Sequence, residues 1–166
     1  MAITKVTSSV LDVDIPAYKA FGTDSIMIGD TTTGTIDAAD GNTGLGVDVF
    51  AALTSGDNNT AVGLSALTAN TTGYSNVAVG ASSLDANTTG LSNTAVGAYS
   101  LSANTTAANN TGLGFAALLT NSTGTANTAV GTDALRANTT GAGLTAVGRS
   151  ALLLNTTGYS NVAVGD

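Results

Sequence analysis

The feature that most constrains this chain is a 17-residue repeat that runs from about Ser25 to Asp166 without an insertion. The clearest copy, Asn59 to Ser75, reads NTAVGLSALTANTTGYS, and the next copy begins at Asn76. Because one copy has too few large apolar side chains to close a core, successive copies must bury those side chains against one another. The repeat therefore predicts a solenoid, a stack of coils with one coil for each copy.

Two columns of aliphatic side chains are predicted to form the core of that stack. The short Thr-Ala-Val string has the length and the alternation of a β-strand, and strands stack about 4.8 Å apart. We therefore expect an all-β fold, a parallel β-solenoid (β-helix or β-roll) of 17-residue coils, with both columns inside. The predicted core residues are Val62, Leu67, Val79, Leu84, Val96, Leu101, Leu113, Leu118, Val130, Leu135, Val147 and Leu152.

A glycine follows each Thr-Ala-Val-like string, once in every copy of the repeat and always at the same place. Glycine at one fixed place in every coil indicates a turn with positive φ, or a point where another backbone comes close. The predicted turn glycines are Gly46, Gly63, Gly80, Gly97, Gly114, Gly131, Gly148 and Gly165.

An asparagine column is predicted from the recurring Asn-Thr-Thr-Gly string. Stacked amides can hydrogen-bond along a solenoid axis, as they do in cross-β assemblies, so these residues are interpreted as structural. The same string matches the N-glycosylation acceptor pattern, but a repeated turn produces that match by itself, and no glycan is predicted. The column comprises Asn70, Asn87, Asn104, Asn121, Asn138 and Asn155.

The chain is predicted to have two parts. Residues 1–24 lie outside the repeat and hold the only proline, Pro16, so they are interpreted as a docking or capping segment. Residues 25–166 should form eight to nine coils, a rod on the order of 40 Å long. We expect a homotrimer that packs through the face of smallest side chains, namely Ala61, Ala78, Ala95, Gly112, Ala129 and Ala146.

The amino-acid types argue against most chemistry. The chain has no Cys, no His and no Glu, so only Asp, Ser, Thr, Tyr and Lys remain to build a catalytic site. Its net charge of −7, with only Lys5, Lys19, Arg136 and Arg149 positive, argues against nucleic acid as a partner. No apolar run approaches the length of a membrane span. We expect no enzymatic activity, no cofactor, no metal, no nucleic-acid partner and no membrane partner.

Three weaker surface features each have an ordinary structural explanation beside a functional one. Five aspartates in the first copies could hold a hard cation such as Ca²⁺, although solvated turn residues explain them more simply. Paired threonines such as Thr71 and Thr72 resemble the rows of ice-binding β-solenoids, although threonine in turns explains them more simply. Tyr74 and Tyr159 could contact a glycan at an exposed corner, but single exposed aromatics are common. The aspartates are Asp30, Asp37, Asp40, Asp48 and Asp57.

The strings at Asn59–Gly63, Asn93–Gly97 and Asn127–Gly131 resemble the head repeats of trimeric autotransporter adhesins, which are trimeric left-handed parallel β-rolls. The longer pattern, in which Ala-Leu and Asn-Thr-Thr-Gly follow, is even more similar to repeat arrays of tailed-phage fibre and virion-surface proteins. This resemblance covers most of the chain. It implies a β-solenoid and a trimer, and it is more specific for architecture than for biological role.

The stalk, anchor and C-terminal chaperone domain of those proteins have no counterpart in this sequence, so we expect a short virion component. The resemblance implies a trimeric capsid decoration (cement) protein or head fibre at the virion surface. Residues 1–24 would then bind the major capsid protein or another virion protein. The alternatives are a tail fibre, tailspike or adhesin-type module that binds a host-surface glycan, and an ice- or glycan-binding β-solenoid.

Overall fold

The computed structural model describes residues 39–166 and the backbone of two short strands before them, β1 (Tyr18–Lys19) and β2 (Ile26–Ile28). Most of the predicted docking segment, residues 1–24, lies outside the described residues, as do Asp30 and Asp37. The later strands are β3 (Thr43–Leu45), β4 (Thr60–Val62), β5 (Val77–Val79), β6 (Thr94–Val96), β7 (Thr111–Leu113), β8 (Thr128–Val130), β9 (Thr145–Val147) and β10 (Val162–Val164).

The ten strands form one sheet in sequence order. Strand β1 pairs with β2 antiparallel, and each neighbouring pair from β2 to β10 is parallel, with paired residues one repeat apart. In the segments that connect one strand to the next, backbone amides also donate hydrogen bonds to adjacent coils. Gly80 N donates to Val62 O at 2.8 Å, and Leu84 N donates to Ser100 O at 3.1 Å. The predicted parallel β-solenoid of 17-residue coils is confirmed.

The interior of each coil contains the central Ala of the strand and the Leu that follows six residues later. Ala61, Leu67, Ala95 and Leu101 have no exposed surface. Side chains along a strand point alternately to opposite faces, so an inward alanine turns both of its neighbours outward. The leucine column and the alanine column therefore pack against each other across a narrow coil.

The valine column was predicted to be inside, and for a single chain this is wrong. Val62, Val79, Val96 and Val130 are only partly buried, and Leu113 and Val147 are 46% and 36% exposed. The predicted packing face of small side chains is wrong for the same reason, because Ala78 and its equivalents are the inward residues. The coil is so thin that only Ala or Gly fits between the sheet and the leucine column.

The core leucines have an unusual backbone conformation. Leu67, Leu84 and Leu101 have φ values of +51°, +50° and +53°, in the left-handed region that L-residues other than Asn and Asp seldom adopt. The hydrogen bond from Leu101 N to Ala117 O at 2.9 Å holds one such residue to the next coil. Each of these coils thus adopts a locally unfavourable conformation that directs its core leucine inward, and the stack enforces it.

Two buried asparagine ladders run along the solenoid. In the predicted ladder, Asn87 Nδ2 donates to Asn70 Oδ1 at 2.9 Å and to Gly90 O at 3.1 Å. A second ladder uses the Asn before each strand: Asn76 donates to Asn59 Oδ1 from its backbone N at 2.9 Å and from Nδ2 at 3.1 Å. Buried amides that are fully paired in this way fix neighbouring coils in one arrangement.

The predicted turn glycines combine both constraints that their spacing suggested. From Gly46 to Gly165 their φ values lie between +128° and +143°. A Cβ on Gly97 would lie 2.4 Å from the carbonyl oxygen of Gly114 in the next coil, which is closer than a methyl group can approach. This column therefore requires glycine for its φ and for the space that another backbone occupies.

Candidate functional site

The aspartates considered as a cation site are not assembled into one in the described part of the chain. Asp57 Oδ1 accepts a hydrogen bond from Asp40 N at 2.8 Å, so that carboxylate joins two adjacent coils. Within residues 39–166 no group of three or more Asp, Glu, His or Cys is placed to hold a metal ion. The described coils contain no helix long and apolar enough to cross a membrane.

The asparagines of the Asn-Thr-Thr strings cannot carry glycans in the folded chain. Asn70, Asn87 and Asn104 are fully buried, and Asn104 Nδ2 already donates to Asn87 Oδ1 at 2.9 Å. Attachment of a sugar to Nδ2 would require this ladder to open. The glycosylation pattern is therefore a by-product of the repeat.

The threonine pairs divide between structure and surface. The first hydroxyl is used inside the stack, as in Thr71 Oγ1, which donates to Thr88 O at 3.0 Å, and Thr139 Oγ1, which donates to Thr156 O at 3.0 Å. The second threonine of each pair is exposed and stands in register with its equivalents. This exposed row comprises Thr72, Thr89, Thr106, Thr123, Thr140 and Thr157.

The most extensive candidate site is the outer face of the parallel sheet, which we call the sheet face. It consists of the first and third residues of β3 to β9, and it contains no charged side chain. The first column holds Thr or Val and is partly buried in most coils, while the second holds Val or Leu, with Leu45 49% and Leu113 46% exposed. On a chain of net charge −7, an uncharged strip of this length with a continuous column of Val and Leu is a candidate interaction surface.

The apolar surface continues around one corner of the coil, two residues beyond the sheet face. Val47, Leu64 and Phe115 occupy this corner column and are 47%, 56% and 52% exposed. Farther along the same column Thr132 and Arg149 replace the apolar side chains, and Arg149 Nη2 pairs with Asp166 Oδ2 at 2.9 Å. That hydrogen bond and its charge raise the pKa of Arg149. Charge therefore borders the apolar surface at its last described coils.

An aromatic pair interrupts the otherwise regular corner. Tyr99 and Phe115 lie in adjacent coils with ring centroids 5.9 Å apart and ring planes at 84°, an edge-to-face contact. Tyr99 is 47% exposed, and Phe115 is separated from the exposed Leu113 by one residue. Sequence inspection did not single out this pair, because the two residues occupy different positions of the repeat and only their stacking brings them together.

Tyr74 and Tyr159, the tyrosines considered for glycan contact, are exposed but far apart. They are 47% and 62% exposed and occupy equivalent positions of coils that are five copies of the repeat apart. At about 4.8 Å per coil this separation is roughly 24 Å. The structure therefore does not bring them into one site.

Comparison with profiles of known protein families, with curated proteins and with solved structures found no match to this chain.

Proposed function

We propose that this chain is a structural component of a tailed-phage virion, a homotrimeric capsid decoration (cement) protein or head fibre. The observation that carries the proposal is the sheet face, an uncharged strip in which one column of Val and Leu runs along all the coils from β3 to β9. Burying it between copies removes apolar surface from water without desolvating a charge, which favours self-association. The repeat resemblance supports the virion setting, and a tail fibre or tailspike segment would use the same architecture.

The stack itself supports a mechanical rather than a catalytic role. Successive coils are joined by backbone hydrogen bonds and by two buried amide ladders, so the rod has few ways to bend or slide internally. Structural proteins of particle surfaces need this stiffness together with a repeating contact surface.

The first test is the mass of the chain in solution by light scattering, with small-angle X-ray scattering for its shape. An elongated trimer is expected, and a monomer across the micromolar range would contradict the proposal. The second test is co-sedimentation with capsids assembled from the major capsid protein encoded in the same genome. The full chain should sediment with capsids, whereas a chain lacking residues 1–24 should remain trimeric and stay in the supernatant.

A second candidate function, binding to ice or to a glycan, is favoured by the exposed threonine row. Its hydroxyl and methyl groups repeat once per coil, about 4.8 Å apart, on residues such as Thr72 and Thr89. Thermal hysteresis of the purified chain tests the first of these activities, with a Thr89→Lys/Thr106→Lys variant as control. Hysteresis that the two lysines abolish would favour this function over the virion role.

A further inference from the structure

The sheet face alone does not determine how far along the axis a second copy is placed. Its residues recur in every copy of the repeat with little variation, so Val62 in one coil and Val96 two coils away present nearly the same surface. Two rods could therefore pack in alignment or shifted by one coil with almost equal apolar contact. Register between strands is weakly specified in the same way when side-chain patterns are uniform.

The aromatic pair is the bulkiest departure from this uniformity beside the sheet face. In the corner column that holds Phe115, the neighbouring coils carry Ala98 and Thr132, and in the column that holds Tyr99 they carry Ser82 and Ala116. In the described coils from β3 onward, Phe115 and Tyr99 are the only aromatic side chains in these two columns. Large, half-exposed aromatic side chains are also the residues that contribute most at protein interfaces.

We propose that Tyr99 and Phe115, together with Leu113, form an anchor that sets the axial register between copies of this chain. The inference rests on the proposed function, in which copies pack side by side through the sheet face and point the same way from a particle. Closed symmetry then brings the anchors of all copies to one height. A shift of one coil would move each anchor by about 4.8 Å and separate it from the others.

A second copy is the proposed occupant, because the sheet face carries no charge and two chains of net charge −7 can meet there without bringing carboxylates together. The sheet face is roughly 35 Å long and 10 Å wide over the described strands, which is less than the about 800 Å² per partner of a standard interface. An interface of standard size between copies would therefore also need the corner column with Leu64 and Phe115, which connects the anchor to the sheet face. The edge-to-face contact occupies one ring face of the aromatic pair, which disfavours a sugar-stacking platform.

The test moves the anchor by two coils. A transplanted chain, S65Y/A81F/Y99A/F115A, carries the same pair at the equivalent positions two copies of the repeat earlier. The natural chain has no cysteine, so a Val62→Cys substitution gives each chain one thiol. A short bismaleimide can join two of these thiols only when the two chains lie with residue 62 at the same height. Two versions of the parental chain, one lengthened by a tag so that a gel distinguishes them, are mixed by denaturation and refolding. They should cross-link to each other at this position.

When parental and transplanted chains are mixed, the yield of the cross-linked product that joins one chain of each kind should be at least tenfold lower than the yield between two parental chains. Each kind should still cross-link with itself. A mixed product at the parental yield would overturn the anchor. A parental chain that is monomeric and never cross-links would instead overturn the proposed function, and the anchor with it. Tyr74→Ala, which removes an equally exposed tyrosine outside the corner, should leave the mixed product unchanged.

If the transplanted chain does not assemble with itself, Y99A/F115A replaces it. Chains of this variant carrying Val62→Cys are mixed with chains of the same variant carrying Val96→Cys, two coils away. Slipped assemblies should give a Val62–Val96 product that the parental background lacks. Its absence from an assembled Y99A/F115A protein would overturn the anchor, and loss of assembly in this variant with retention in Tyr74→Ala would support it.

Discussion

Asn87 Nδ2 donates a hydrogen bond of 2.9 Å to Oδ1 of Asn70 in the preceding coil, and both side chains are fully buried. The same amide nitrogen also donates to Gly90 O at 3.1 Å, so both of its protons are used. Because Asn104 in turn donates to Asn87 Oδ1, the central amide of the ladder connects three coils. An amide is needed here because it donates and accepts in the same direction along the axis.

Replacement of Asn87 by Asp should destabilise the chain more than replacement by Leu at pH 7. A carboxylate would face Asn70 Oδ1 and Gly90 O without a proton to donate, whereas the ladder already ends against Leu53 without disruption. We expect losses of about 4 kcal/mol or more for Asp and about 2–3 kcal/mol for Leu. Guanidinium unfolding monitored by circular dichroism measures both.

The Asp variant should also recover stability in acid. Burial beside two acceptors would raise the carboxyl pKa in the folded state, so protonation stabilises the folded state as the pH falls toward about 4, near the unfolded value. The gap between Asn87→Asp and Asn87→Leu should then narrow. A gap that stays constant from pH 7 to pH 4 would contradict the ladder geometry.

Two glycine-to-alanine substitutions should differ in their effect on stability. Gly97 has φ +128°, and its added methyl group would meet the Gly114 carbonyl, so Gly97→Ala should cost about 2–3 kcal/mol or more. Gly112 has no positive φ, and its methyl group would meet the movable Ser100 hydroxyl at 2.4 Å and, less tightly, the Ala117 carbonyl oxygen at 3.3 Å. That hydroxyl can turn toward the backbone of its own coil, as Ser83 does in donating to Gly80 O at 2.9 Å.

Gly112→Ala should therefore be neutral or stabilise the chain by up to about 1 kcal/mol, because it also restricts the unfolded chain. Thermal and guanidinium unfolding of both variants measure the contrast. Equal destabilisation by the two substitutions would show that φ and backbone contact do not decide the cost.

The sequence was sufficient to predict the coil length, the parallel stack, the leucine column and one amide ladder, because each recurs at the same place in every copy of the repeat. It did not reveal which face of the strand turns inward. Alternation places Ala61 and Val62 on opposite faces of the strand, but it does not say which face is buried. The prediction put the larger side chain, that of Val62, in the core. The overlooked signal is a size limit: the central strand position holds only Ala or Gly from Gly44 to Ala163.

The aromatic anchor and the left-handed leucines were beyond sequence reasoning for a different reason. Tyr99 and Phe115 occupy different positions of the repeat, and they become neighbours only through the way in which adjacent coils stack. Leu67 has a backbone conformation that its residue type disfavours, so local propensity points away from it. Both features are set by contacts between coils.

The leucine and valine columns should respond differently to truncation. Leu101 is fully buried, so Leu101→Ala should leave a cavity and cost about 3 kcal/mol, whereas the partly exposed Val96→Ala should cost less than about 1 kcal/mol in a dissociated chain. Unfolding at low protein concentration, where association is absent, measures these values. Similar costs for the two would indicate that the valine column is interior after all.

A charge on the sheet face should separate folding from assembly. Val96→Asp places a carboxylate on a partly exposed column, where the single chain can leave it hydrated, so the free energy of unfolding of the dissociated chain should change by less than about 1 kcal/mol. In an assembly the same carboxylates would be buried close to one another, and their desolvation and repulsion should prevent association. Light scattering should then give the mass of one chain, whereas the similarly sized Val96→Thr, which copies the first column of the face, should retain the parental mass. Assembly of Val96→Asp with an unchanged mass would mean that the copies meet through another surface, and unfolding of the isolated variant would mean that Val96 belongs to the core.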